Sequence, residues 1–216
     1  MASLQPVLDA LWQRAMDDPV VFLFGDDRQA GLVTTVDEHD HAAPVKPLPN
    51  RPHLLGLTRL WEESHQLVIA KSRQMMVSWW GMAMIAWEVM HPGRRWAVTC
   101  RKFDDADALL ERMWGILQRI PKQLRPPMVR KEGTITVMHP DAPSQVLAVA
   151  QDSDAPRSRT FSGIWVDEAA FTDDLNKLYA AAKPTVMSGG RLVMVSSPNG
   201  RGLFYDLLSD HGRLEL

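Results

Sequence analysis

Gln66-Leu67-Val68-Ile69-Ala70-Lys71-Ser72-Arg73-Gln74-Met75-Met76-Val77-Ser78 carries a short apolar strand into a polar loop, and the loop opens an apolar stretch reaching about Met90. Strand, turn and buried helix in that order form the repeating step of an α/β fold. The stretch from Met75 to Met90 includes Ser78, Gly81 and Glu88 and is too short to span a bilayer, so it reads as a core helix.

The alternation extends to both sides. Leu54 to Glu63 is expected to be helical, Arg95 to Cys100 a strand, and Phe103 to Ile120 an amphipathic helix stopped by Pro121. Thr134 to Met138 and Gln145 to Ala150 are strand-like and flank a Pro-Asp-Ala-Pro turn. Then come the apolar strand Gly163 to Val166, a helix over Asp173 to Ala182, the strand Arg191 to Ser196 and a helix from Leu203 to Ser209. Short apolar strands between helices specify an α/β fold with a mainly parallel central sheet flanked by helices. Upstream, Pro6 to Met16 has helical spacing, and residues 25–52 read as an extended arm rich in Asp, Gly, Pro and His. The chain therefore divides into an N-terminal helix and arm, 1–52, and a core, 53–216. Glu38-His39-Asp40-His41 lacks ligand spacing and reads as an exposed polar loop rather than a metal site.

Composition bounds the rest. With 216 residues, 45% hydrophobic and 23% charged, the chain suits one large globular domain. A lone cysteine, Cys100, excludes an internal disulfide and fits a reducing compartment. Met1-Ala-Ser-Leu-Gln5 has no basic region followed by an apolar one, so no signal peptide is expected. The net charge of −2 does not advertise a nucleic-acid surface, although Arg94-Arg95, Arg101-Lys102 and Arg130-Lys131 form local basic pairs.

In parallel sheets, ligands gather outside the carboxyl ends of the strands. Three strand ends there bear chemistry. The first is Lys71 to Ser78, where a helix N-terminus offers N–H groups and dipole to an anion. Against the pattern G-x-x-x-x-G-K-[ST], only Ser78 is kept; Lys71, Met76 and Val77 replace the two glycines and the lysine. Lys71 at the loop entrance and Arg73 within it can still meet phosphates, and Ser78 can meet Mg²⁺; the alternative is an ordinary turn with both cations solvated. The second is Asp167-Glu168, two carboxylates delivered by a buried strand, which can divide metal binding from water activation. The alternative is a strand end before a helix N-terminus, where acids are favoured anyway. The third is Ser196-Ser197-Pro198-Asn199-Gly200, either a turn or hydroxyls placed to sense a phosphate. Arg157 and Arg159 lie in a polar loop just ahead of the acidic strand, suited either to transition-state charge or to pairing with Asp152 and Asp154.

With those residues assembled, the chain resembles the ATPase domain of large terminase subunits from tailed double-stranded DNA bacteriophages. The resemblance rests on Lys71-Ser-Arg-Gln-Met-Met-Val-Ser-Trp79, Trp165-Val-Asp167-Glu168-Ala-Ala170 and Ser196-Ser-Pro-Asn-Gly200, with support from Asp17-Asp-Pro-Val-Val-Phe22, Lys46-Pro-Leu-Pro49 and Arg101-Lys-Phe-Asp-Asp-Ala106. It implies a P-loop NTPase of the ASCE/RecA-like, additional-strand type that uses ATP and Mg²⁺. The segment Lys71, Ser72, Arg73, Gln74, Met75, Met76, Val77 and Ser78 would contact nucleotide, with Ser78 and Asp167 serving the metal. Glu168 would be the catalytic carboxylate, and Arg157, or else Arg159, a finger for the neighbouring subunit. Ser196, Ser197 and Asn199 would form the coupling motif.

The implied partners are double-stranded DNA, the portal protein, the small terminase subunit and further copies in a ring on the procapsid. The isolated chain would be a monomer in the host cytoplasm, outside any membrane. Family members continue into an RNase H-like nuclease, which the sequence to Leu216 does not accommodate, so no nuclease activity is expected. Met76 in place of a glycine is the main departure. Two rival readings remain: a helicase-like nucleic-acid-dependent ATPase, and a non-hydrolysing docking module with a degenerate nucleotide site.

Overall fold

The computed structural model describes residues 5–37, 40–150 and 160–210. Its centre is a seven-stranded sheet that combines a parallel body with an antiparallel edge. In chain order the strands of this sheet are β3 (Gln66–Ala70), β4 (Arg95–Cys100), β5 (Met128–Lys131), β6 (Thr134–Val137), β7 (Ser144–Ala150), β8 (Gly163–Asp167) and β9 (Arg191–Ser196). They lie side by side as β3-β9-β8-β4-β7-β6-β5. The first five are mutually parallel, and β6 and β5 complete the sheet as antiparallel neighbours. An α/β fold with a mainly parallel sheet was expected, and this is what the chain forms.

The helices are amphipathic or buried according to their place. Helix α4 (Val77–Val89) buries nine of its thirteen residues, so it has no polar face and lies inside the molecule. Helix α5 (Phe103–Arg119) instead buries one stripe, including Ala106, Leu110, Met113 and Leu117, and exposes the rest. On the other face of the sheet, α6 (Leu175–Met187) and α7 (Leu203–Asp210) pack Leu178, Ala182, Phe204 and Leu207 against Ile164, Val166, Leu192 and Met194.

A file of tryptophans fixes α4 on the sheet. Trp61, on α3 (Pro52–Glu63), stacks on Trp96 at 5.3 Å and meets Trp80 edge-on at 5.7 Å; Trp80 in turn lies 6.3 Å from Trp165. The Trp80 indole donates to Thr58 Oγ1 at 2.9 Å, so this buried N–H is satisfied. Gly81 is required by the same packing, because a Cβ there would overlap the Trp165 ring.

The N-terminal region is more ordered than its composition suggests. After α1 (Gln5–Asp17), Asp18 caps a short helix, α2 (Pro19–Phe24), its carboxylate accepting from the Val20 N–H at 2.7 Å. Within the expected extended arm, β1 (Thr34–Val36) and β2 (Val45–Pro47) pair antiparallel. Lys46 holds this hairpin through Asp37 at 2.9 Å and Asp40 at 3.0 Å. Val33 and Leu48 beside the hairpin, and Phe22 and Leu23 of α2, are buried in the same cluster as α4, so this segment belongs to the main core. Of the Glu38–His41 tetrad, Glu38 and His39 lie outside the described residues.

Two further elements depart from expectation. Helix α6 runs past Ala182 and through Pro184, because Thr185 is buried beyond it and the Ser188 N–H closes on the Pro184 carbonyl at 3.0 Å. Strand β5 arises because Gly133, with a φ of 64°, turns the chain so that Lys131 pairs with Thr134.

Candidate nucleotide site at the carboxyl ends of the parallel strands

The three chemistry-bearing strand ends are neighbours in space. β9 lies between β3 and β8, in register with both: Ala70 faces Ser196, and Asp167 faces Val195. The segments after Ala70, Asp167 and Ser196 therefore leave the same sheet edge side by side.

At the first end, the Lys71 N–H is held by the Ser196 carbonyl at 2.9 Å, and the chain then turns into α4. Two residues of the turn, Gln74 at φ 63° and Met76 at φ 59°, adopt the left-handed region. That is the conformation a glycine would take without cost, and a side chain there costs roughly 1–2 kcal/mol. Met76 thus keeps a glycine-like backbone while its side chain packs against the core. His53 steadies the turn with a ring nitrogen 3.0 Å from the Met75 carbonyl. Val77, at the position of the pattern's lysine, is buried at 3% exposure and points into the core.

At the second end, Asp167 is 5% exposed. Burial pushes its carboxyl above the ordinary value of 3.8, opposed by a hydrogen bond from Ser78 and by the charge of Lys71. Glu168 follows in a left-handed conformation, φ 50° and ψ 43°, so the chain bends directly after the strand into a 3₁₀ turn (Ala169–Phe171). The bend separates the two carboxylates: Asp167 stays inward, and the Glu168 side chain is 43% exposed.

Glu168 is the hub of the cluster. Its Oε1 lies 3.0 Å from Lys71 Nζ, and its Oε2 lies 3.4 Å from Ser196 Oγ and 3.3 Å from Ser197 Oγ. Ser196 Oγ is also 2.8 Å from the Ser197 carbonyl, and a hydroxyl has one proton, so the shorter contact takes it. Ser197 is then the hydroxyl donor to Glu168. Asn199 donates to the Ala170 carbonyl at 3.0 Å, joining the third strand end to the turn after Glu168.

A cleft of about 480 Å³ opens over this edge, lined by Arg73, Ser78, Asp167, Glu168 and Ser197 from the expected set. It is also lined by Cys100, Arg101, Asp105, Ala108, Leu109, Arg112 and Phe171, which the sequence reading left out. Helical spacing puts Asp105, Ala108, Leu109 and Arg112 on one stripe of α5, but periodicity alone does not say that the stripe faces the cleft. Burial raises the Cys100 thiol well above its ordinary value, so it stays a protonated wall residue. Ser72, Gln74, Met75, Met76 and Val77 shape the loop without lining the cleft. Arg157 and Arg159 lie outside the described residues.

The donor set fits a hard divalent cation: Ser78 and Asp167 offer oxygen atoms close enough to hydrogen-bond each other, on a wall shared with a helix N-terminus. The volume and the cation Arg73 on its wall suit a phosphorylated ligand, with Lys71 held behind Glu168 rather than on the wall itself.

No protein family model matches the sequence. Solved structures do match. The Thermus phage P74-26 large terminase ATPase domain superposes with a TM-score of 0.69 at 20% identity, covering 78% of this chain and 72% of that one. The chain has the fold of a large-terminase ATPase domain. The HK97 bacteriophage large terminase gives a TM-score of 0.63 at 10% identity over 76% of this chain, and the match spans 37% of that longer protein. The large terminase of a thermophilic bacteriophage, in a complex with ATP-gamma-S, gives 0.55 at 11% identity over 70% of this chain and 39% of its own. The fold of these large-terminase structures is thus shared at low sequence identity. Among the described residues, no helix is long and apolar enough to cross a membrane.

Proposed function

We propose that this chain is the ATP-hydrolysing motor domain of a viral terminase, which drives double-stranded DNA into a procapsid. The observation that carries this reading is the 3.0 Å contact between Lys71 and Glu168, where Glu168 lines a cleft together with Ser78, Asp167 and Ser197. Residues from three strand ends, each suited to one part of phosphoryl transfer, meet at one place. The terminase-type fold supports the same conclusion.

In this reading Lys71 and Arg73 bind the phosphates, with N–H groups at the start of α4. Ser78 and Asp167 hold Mg²⁺, which supplies positive charge to the phosphate oxygens. Glu168 orients a water and takes its proton, and Ser197, with Ser196 and Asn199 behind it, carries the state of Glu168 into β9. Arg157, or else Arg159, completes the site of the next subunit in a ring. Portal protein and small terminase subunit are the proposed partners, in the host cytoplasm and transiently at the portal.

The experiment is titration calorimetry of an ATP analogue with Mg²⁺ against the wild type and Lys71→Ala. Binding that the substitution removes supports the motor. Absence of binding by the wild type at millimolar nucleotide favours the docking module, for which the specific observation is Val77 buried where the pattern places a lysine.

A further inference from the structure

The cleft has a wall that the proposed machinery does not use. Asp105, Ala108, Leu109 and Arg112 stand at intervals of three, one and three on α5, and all four line the cleft. Their spacing puts them on a single stripe, with Asp105 toward β4 and Arg112 two turns further on. Ala108 is small, which leaves room between the ends of the stripe.

Arg112 is placed rather than merely present. Its guanidinium carbon lies 5.8 Å from the centroid of Trp79, the residue directly after Ser78 in the first turn of α4. That cation–π contact brings the charge to the same helix start that carries the phosphate-binding loop. Arg101 has Asp173 at 4.0 Å, whereas Arg112 has no carboxylate within ion-pair distance among the described residues. It lines a cleft shared with Asp167 and Glu168.

We infer that Arg112 is a phosphate-contacting residue that recognises the terminal phosphoryl group of a nucleoside triphosphate from within the same chain. The inference rests on the motor reading of this cleft. In that reading the terminal phosphate lies between the metal pair Ser78–Asp167 and the water held by Glu168. A cation lining the same cleft as all three, and held at the start of α4 by Trp79, is assigned to that phosphate rather than to the inner ones. Guanidinium suits the task, since its planar fork pairs with two phosphate oxygens at once. The consequence is that the isolated chain distinguishes triphosphate from diphosphate without a neighbouring subunit.

The test compares a non-hydrolysable ATP analogue with ADP, each with Mg²⁺, by calorimetry on the full chain. Arg112→Ala is expected to weaken the ATP analogue about tenfold to a hundredfold, the effect of losing charge-assisted hydrogen bonds, and to leave ADP within about twofold. Arg112→Lys is expected to recover part of the loss, because it keeps the charge and drops the fork. Arg112→Gln is the second variant should the alanine form fail to fold. Equal weakening of both nucleotides overturns the assignment to the terminal phosphate. Unchanged binding of both overturns the role of Arg112 and leaves the motor reading standing. A wild type that binds neither nucleotide removes the motor reading and this inference with it.

Discussion

Lys71 Nζ and Glu168 Oε1 stand 3.0 Å apart, so the cation proposed for phosphate and the carboxylate proposed for water neutralise each other at rest. In the proposed function, phosphates entering the cleft would compete with Glu168 for the ammonium, and its release would ready Glu168 as a base.

Glu168→Gln is therefore expected to separate two quantities that usually fall together. Hydrolysis falls by about 10² to 10⁴ with the loss of general-base catalysis. Binding of an ATP analogue tightens, by up to about fivefold, since a partly exposed ion pair contributes roughly 0–1 kcal/mol. Steady-state phosphate release and calorimetry on one preparation check both. Weaker analogue binding in this variant contradicts a resting competition.

Lys71→Ala acts in the opposite sense. Binding is expected to fall by roughly tenfold to a hundredfold with the charged contact, while the fold persists, because Lys71 is tied to β9 through its backbone N–H rather than its side chain. Circular dichroism beside the titration distinguishes a lost ligand contact from a lost fold.

Asp167 supplies a pH dependence whose sign is fixed by its burial. Its carboxyl is raised above the ordinary 3.8 in the folded chain, so folding favours the protonated form. The stabilising contribution is complete below 3.8 and is lost as pH rises through the elevated folded value. Asp167→Asn, which removes the buried charge, is expected to raise Tm at pH 7 by about 2–4 °C, the equivalent of roughly 1 kcal/mol in a chain of this size. The gain shrinks as pH approaches 3.8, and Mg²⁺-dependent nucleotide binding disappears at every pH. A variant less stable than wild type at pH 7 would sink this account.

Gly81→Ala tests the mount of the phosphate loop. The new methyl overlaps the Trp165 ring, so α4 must shift off the sheet or Trp165 must leave its place beside Trp80. Overpacking of this kind costs about 1–3 kcal/mol. Thermal unfolding is expected to drop accordingly, with tryptophan fluorescence reporting the displaced ring. Wild-type Tm and emission would mean that the helix stands further from β8 than the packing indicates.

The parallel body of the sheet and all three strand ends of the site are legible in the sequence, because buried parallel strands read as apolar runs that stop at polar residues. Gln66–Ala70, Gly163–Asp167 and Arg191–Ser196 each do so. What escapes is what depends on neighbours in space. Helix α2 is too short to show a period, although Asp18-Pro19 is a capping signature that a closer reading would catch. The arm looked unstructured because its burial is contributed by single residues, Val33 and Leu48, rather than by an apolar run. Met76 looked like a defect in the loop. Pattern matching asks for glycine, whereas the backbone asks only for a positive φ, which Met76 supplies at a cost. Arg112 was hidden because its stripe on α5 is ordinary surface until α4 and β8 come beside it.

The position of β9 has a bearing on how this molecule comes into being. In the described sheet β3 hydrogen-bonds to no strand except β9, and β8 meets β9 on the side away from β4. A strand spanning Arg191–Ser196 is threaded between two that precede it in the chain. During synthesis, Lys71 and Glu168 are both made before the strand that brings them together. A growing chain therefore cannot hold the ends of β3 and β8 together in this sheet until Arg191–Ser196 has been made.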